Sequence, residues 1–120
     1  MAEPSPLDDH FRAPRNAGIL EGADLSASAD NPVCGDTLRL YLRRGPDGRI
    51  AACSFQAYGC PAAIAAGSLL TELLRGASRE AVAAITRETI AKALGGLGSD
   101  KAHAAVLAAD AVKAALSQWR

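Results

Sequence analysis

Aromatic side chains are scarce in this 120-residue chain, which has only Phe11, Tyr41, Phe55, Tyr58 and Trp119. Alanine is abundant, so the expected core is close-packed Ala-rich helix, with Leu, Ile and Val as filler. Neither sign of charge is in excess, because 13 Lys and Arg balance 13 Asp and Glu. Nothing therefore draws the chain toward a polyanion, and a nucleic acid is not an expected partner. Long apolar runs are missing too. The longest, residues 62–74, is broken by Gly67, Ser68, Thr71 and Glu72, too short and too polar to span a bilayer. The first nine residues carry Glu3, Asp8 and Asp9 and no apolar run, so no signal peptide is expected. Cysteine is limited to Cys34, Cys53 and Cys60, an odd count that does not suggest a disulfide framework. Free thiols fit a reducing compartment, and the cytoplasm is the expected location.

A chain of this length forms one domain and buries about two thirds of its unfolded surface. Residues 1–9 are expected to be a flexible terminus, frayed through Leu7, and residues 10–120 a single domain. A helical turn fits residues 9–16, ending near Pro14. Residues 17–32 give no clear element, although a short strand fits inside them. In residues 37–43, Leu38, Leu40 and Leu42 alternate with Thr37, Arg39, Tyr41 and Arg43, the period of a half-buried strand. Gly45-Pro46-Asp47-Gly48 is a turn, and residues 49–58 read as the returning strand of a hairpin. On that strand Ala51, Cys53, Phe55 and Ala57 are expected on one face. From Cys60 onward the pattern is helical. Pro61 suits a first helical position, and an apolar helix runs to Arg75, closed by Gly76. Ser78 caps a short helix through Ile85, and Thr86 caps another through Leu94. Ser99 or Asp100 then caps a last helix to about Trp119. The predicted fold class is α+β, a small antiparallel sheet of about three strands with helices packed on one face.

The chemistry-bearing residues lie in Asn31-Pro32-Val33-Cys34-Gly35-Asp36, Tyr58-Gly59-Cys60 and Lys101-Ala102-His103-Ala104. They offer two thiols, a carboxylate and an imidazole, all metal-ligating groups. Gly35 permits a tight turn that leaves Cys34 and Asp36 free to face a common site. Cys60 stands at a strand-to-helix junction, where a helix N-terminus favours thiolate and a lowered pKa. His103 falls in the first turn of the last helix and ligates a metal when neutral. Cys53 shares a strand face with Phe55 and reads as a small core residue. Taken singly, His103 favours a partly buried helix histidine, and Asp36 a strand-start or turn carboxylate. The spacing is no zinc-finger pattern. The residues alone leave a metal site and a thiol site both open.

Together these segments resemble the IscU/NifU-type iron–sulfur cluster assembly scaffold family, the NifU N-terminal domain. Beyond the three ligand segments, the likeness takes in His10-Phe11-Arg12-Ala13-Pro14-Arg15-Asn16-Ala17-Gly18, Phe55 through Ala65, and Leu107-Ala108-Ala109-Asp110-Ala111. It spans residues 10–119. The resemblance implies a scaffold rather than an enzyme, one that carries a transient [2Fe–2S] cluster, or iron, between a cysteine desulfurase and acceptor apoproteins. Zinc is the alternative metal. It places Cys34, Asp36, Cys60 and His103 on family ligand positions, and it implies that Asp36 keeps a cluster labile.

Two departures stand out. Ala104 occupies the position where the family keeps a third cysteine, used as ligand and often as persulfide acceptor. The remaining S₂NO donor set suits a cluster less than three thiolates would, whereas zinc tolerates it. Leu97-Gly98-Ser99-Asp100-Lys101 lacks the Pro-Pro-Val segment that the classical branch presents to a dedicated chaperone, which puts that partner in doubt. Three rival readings follow. One is a zinc-binding or sulfur-relay accessory of a desulfurase, and another is a degenerate copy that pairs with an intact partner. The third, a small hydrolase using Cys34 or Cys60 with His103 as base, is discounted for want of an oxyanion-hole motif.

Overall fold

Ser5 and Pro6 start the first helix. The Ser5 hydroxyl accepts the Asp8 N–H at 3.1 Å, and Pro6 occupies a first-turn position that needs no N–H. The computed structural model describes residues 5–31, 35–98 and 101–119. Cys34, Ser99 and Asp100 lie outside the described residues. Helix α1 spans Pro6–Arg12, followed by strands β1 (Leu25–Asn31), β2 (Asp36–Arg44) and β3 (Ile50–Tyr58). Helices α2 (Pro61–Leu74), α3 (Arg79–Ala83), α4 (Arg87–Ala93) and α5 (Ala102–Gln118) complete the order. Helix α1 thus begins three residues before the expected turn at Asp9, inside the stretch read as a flexible terminus. Its cap and the acidic first turn of Asp8 and Asp9 set that start.

The three strands form one antiparallel sheet in the order β1-β2-β3. Leu38, Leu40 and Leu42 are fully buried, and Leu40 lies opposite Phe55 on β3 and Ala27 on β1. The other sheet face presents Ser26, Ser28, Arg39 and Arg43 to solvent. One side-chain expectation for β3 fails. Ala51 is exposed while Ile50 is buried, because the ladder slips between Arg43 and Arg44 and pairs Arg44 with Ile50. The extra residue is a bulge, which shifts the inward face by one position. Cys53 and Phe55 keep the expected buried side.

Helices α2 and α5 cover one sheet face, α2 against β3 and α5 against β1 and β2. Helix α2 is buried almost all round, because α1 and α5 pack against it as well. The interruption at Gly67 has a packing reason. A Cβ there would collide with the Phe55 ring, reaching its Cε2 at 2.8 Å and Leu38 Cδ1 at 3.0 Å, so glycine sets the helix-to-sheet distance. Beyond β3, Asn16 and Gly18 bond the backbone of Phe55: its N–H donates to Asn16 O at 3.0 Å and its C=O accepts Gly18 N–H at 2.8 Å. At the opposite end, the Arg44 guanidinium pairs with Asp24 at 2.7 Å and lies 5.4 Å from the Trp119 ring centroid. That contact ties β2 to the end of α5. Ser78 and Thr86 cap α3 and α4 as expected. No helix among the described residues is long and apolar enough to cross a membrane.

Candidate metal centre

Three elements end at one place. Asp36 opens β2, Cys60 is the N-cap of α2, and His103 is the second residue of α5. Thr37 pairs with Tyr58 across the β2–β3 ladder, which sets Asp36 beside the strand-to-helix junction. Pro61 then starts α2 immediately after Cys60, while the packing of α5 against α2 and the sheet brings in His103.

The contacts are mutual. Asp36 is only 2 % exposed. Its Oδ1 accepts the Cys60 N–H at 3.1 Å and its Oδ2 faces the Cys60 thiol at 3.3 Å. His103 Nε2 lies 3.1 Å from the same Oδ2 and 3.3 Å from Cys60 Sγ. Carboxylate oxygen, thiol sulfur and imidazole nitrogen therefore form a compact triangle, with Cys60 and His103 half-buried around it. In a tetrahedral zinc site with bond lengths of 2.0–2.3 Å, neighbouring donors stand about 3.3–3.8 Å apart. The triangle is already near that spacing, and small outward shifts of the three donors open room for an ion.

Electrostatics at Cys60 differ from the expectation. Burial pushes the thiol up from its ordinary value, and the neighbouring Asp36 carboxylate pushes the same way. The Ala63 and Ala62 amides at the start of α2 pull it down, as a helix N-terminus should, but they are outweighed. The lowered thiol expected from the helix position is thus corrected, because the helix position alone shows neither how far packing buries the thiol nor that a carboxylate lies against it. A bound cation would reverse the balance, since a coordinating thiol gives up its proton.

Of the residues marked in the sequence, Asp36, Cys60 and His103 come together, and Cys34 lies outside the described residues. Cys53 takes no part. It is 6 % exposed, donates its S–H to the Thr71 carbonyl at 3.2 Å, and has its thiol raised to about 11 by burial. Ala104 has no exposed surface and belongs to the hydrophobic core.

A second polar cluster gives no clear signal in the sequence. Ser68 and Glu72 look like interruptions of an apolar helix, yet they hold His10, which is 5 % exposed. His10 Nδ1 lies 2.7 Å from Ser68 Oγ and Nε2 lies 3.1 Å from Glu72 Oε1. Ser68 Oγ also accepts the Arg15 N–H at 2.8 Å, and Asn16 Nδ2 donates to Thr71 Oγ1 at 3.0 Å. A neutral imidazole satisfies this arrangement, with Ser68 donating to Nδ1 and Nε2–H donating to Glu72. Burial lowers the His10 pKa; Glu72 and Asp9 raise it, Arg15 lowers it, and burial prevails because Glu72 is half exposed. Between the lowered folded value and the ordinary value of 6.5, the unfolded chain binds more protons, so stability rises with pH across that window. It is complete above 6.5 and lost as the pH falls through the folded value. Urea unfolding of the metal-free protein from pH 5 to 7.5 should show this acid loss reduced in His10→Gln. Parallel profiles for the two proteins would rule His10 out as its source.

The model of the family described as NifU-like N terminal domain matches residues 5–120. Two iron-sulfur cluster assembly scaffold proteins IscU of Archaeoglobus fulgidus are each 46% identical over 111 residues, covering 92% of this chain and 72% of theirs. The iron-sulfur cluster assembly scaffold protein IscU of Escherichia coli K12 is 37% identical over 123 residues, covering 100% of this chain and 95% of its own. Among solved structures, the N-terminal part of a nitrogen-fixing NifU-like protein from Brucella abortus superposes with a TM-score of 0.78 at 19% identity. That match covers 96% of this chain and 92% of the other, and it speaks for the fold alone.

Proposed function

Because this chain belongs to the NifU-like N-terminal domain family, we propose that it is an iron–sulfur cluster assembly scaffold whose cargo is held by Cys34, Asp36, Cys60 and His103. The observation that carries this is the convergence of Asp36, Cys60 and His103 from three separate elements within hydrogen-bonding distance of one another. The cargo is a transient [2Fe–2S] cluster or the iron that precedes it. Residues 10–120 act as the single scaffold domain, in the cytoplasm. Sulfur comes from a cysteine desulfurase and the cluster leaves to acceptor apoproteins, so the protein works as a carrier and not as an enzyme.

The donor set suits that role. A [2Fe–2S] unit takes four protein donors, and imidazole replaces thiolate in some natural centres. Two thiolates, an imidazole and a carboxylate meet the count while binding less firmly than thiolates alone. With Ala104 in place of a third cysteine, a short-lived cluster is the expected cargo state. The half-buried side of the triangle, at Cys60 and His103, gives iron and sulfur a way in and out.

The mixed donor set and its near-tetrahedral spacing also favour a second reading, a zinc-binding or sulfur-relay accessory of a desulfurase. Anaerobic reconstitution with ferrous iron, cysteine and a desulfurase separates the two. Iron and sulfide bound in equal amounts, with visible charge-transfer bands that pass to an apo-ferredoxin, are expected of the scaffold. Tight zinc with no sulfide would assign the accessory role instead. Ala104→Cys should raise cluster occupancy and lengthen its lifetime, because a thiolate enters beside His103. Unchanged occupancy would mean that the new thiol packs into the core rather than facing the cargo.

A further inference from the structure

Gly59 stands between the end of β3 and Cys60 with φ at +130°, a conformation L side chains rarely adopt. Gly48 and Gly76 also have positive φ, but a Cβ at either would meet nothing within 4 Å. Their glycines answer to the backbone alone. Gly59 is different. A Cβ there would collide with the Asp36 carboxylate, running into Oδ1, 2.6 Å from Cγ and 2.9 Å from Cα. The carboxylate occupies the space that a side chain at residue 59 would fill. From that seat its Oδ1 reaches the Cys60 N–H and its Oδ2 reaches both Cys60 Sγ and His103 Nε2. A carboxylate this deeply buried is costly without those partners, so its position is fixed by what Gly59 omits.

We propose that Gly59 is a positioning residue of the metal centre: lacking a side chain, it seats the Asp36 carboxylate between Cys60 and His103 as a ligand. This rests on reading the site as metal-holding. Any L residue at 59 would combine backbone strain with displacement of Asp36, and the carboxylate would leave the triangle while Cys60 and His103 stayed.

The junction between residues 59 and 60 allows a stereochemical test, because Cys60 is the cysteine at which a 1–59 thioester can be ligated to a 60–120 segment without a scar. Three full-length proteins are made with glycine, L-alanine or D-alanine at position 59, and Asp36→Ala is made alongside. A D residue takes positive φ as readily as an L residue takes negative φ, and it turns its methyl to the opposite side of the Cα. Zinc affinity by chelator competition and the visible spectrum of bound cobalt are then compared. The D-alanine protein should match the glycine protein. The L-alanine protein should lose on the order of 10- to 100-fold in affinity, as Asp36→Ala should, with the same change in the cobalt spectrum. Equal behaviour of the two alanine enantiomers would overturn the proposal. Should the L-alanine chain fail to fold, the D-alanine protein decides alone, since loss of binding there refutes the seat.

A metal-free readout separates this inference from the functional reading. In the apo-protein Cys60 should alkylate at the same rate with glycine or D-alanine, and faster with L-alanine once Asp36 no longer covers the thiol. If the glycine protein binds neither metal but this pattern holds, the functional reading and the ligand role fail, while the seating of Asp36 against Cys60 stands. If metals bind normally to all three, the seat fails and the reading stands.

Discussion

Cys60→Ala should reduce zinc and iron affinity by about 100-fold or more. Losing an outer partner of a metal ligand already costs 10- to 100-fold, and Cys60 supplies the sulfur that faces both Asp36 Oδ2 and His103 Nε2. The fold should survive, because Pro61 still starts α2 and the backbone N–H at position 60 still meets Asp36 Oδ1. Cys53→Ala is the matched control. Its thiol is buried against the Thr71 carbonyl, away from the triangle, so it should lose some stability and no metal. Competition with a chromophoric chelator reads both variants. Equal affinities for wild type and Cys60→Ala would remove Cys60 from the ligand set.

The largest effect on stability is expected at the contact between sheet and helix. Phe55 is 2 % exposed, and truncating a buried Phe to Ala costs about 4 kcal/mol, a fall of roughly 15 °C in melting temperature for a domain of this size. Gly67→Ala alone should also destabilise, since the new methyl meets the Phe55 ring and over-packing costs about 1–3 kcal/mol. Combined, the two changes should not add. With the ring gone, the methyl introduced at position 67 enters part of the vacated space, and alanine contributes its better helix propensity, about 1 kcal/mol. Gly67→Ala should therefore lose most of its cost in the Phe55→Ala background, where only the Leu38 Cδ1 contact at 3.0 Å remains, a coupling that a double-mutant cycle measures directly. Simple additivity would show that Gly67 does not set the distance between α2 and β3.

The parts of this fold that were legible share strong local contrast. Leucines alternating with polar residues announce β2, and Ser78 and Thr86 announce their helices. Strand β1 was faint because its inward residues after Leu25 are Ala27 and Ala29, which differ little in hydrophobicity from the serines between them. The bulge at Ala51 was invisible, since it arises from how β3 pairs with β2 and not from its own pattern. The early start of α1 is written in Ser5, Pro6, Asp8 and Asp9, a cap and acidic turn whose signal competes with the usual fraying of a terminus. In the site, each residue was ambiguous alone, and only ordered motifs over the whole chain favoured a metal reading. Packing supplies what the motifs omit: the burial that, with Asp36 beside it, raises the Cys60 thiol, and the seat that Gly59 leaves for the carboxylate.

Asp36 and Cys60 lie 24 residues apart, and Cys60 and His103 another 43. An ion gripping all three is thus a cross-link that closes two long loops at once. A covalent bridge over either span would remove roughly 3 to 4 kcal/mol of denatured-state chain entropy, comparable with much of a small domain's stability. Binding and release of such an ion would then be mechanical events for the chain, tightening and loosening the place where sheet, α2 and α5 meet. Withdrawing the ion would unclasp the protein as well, leaving it looser than the loaded form.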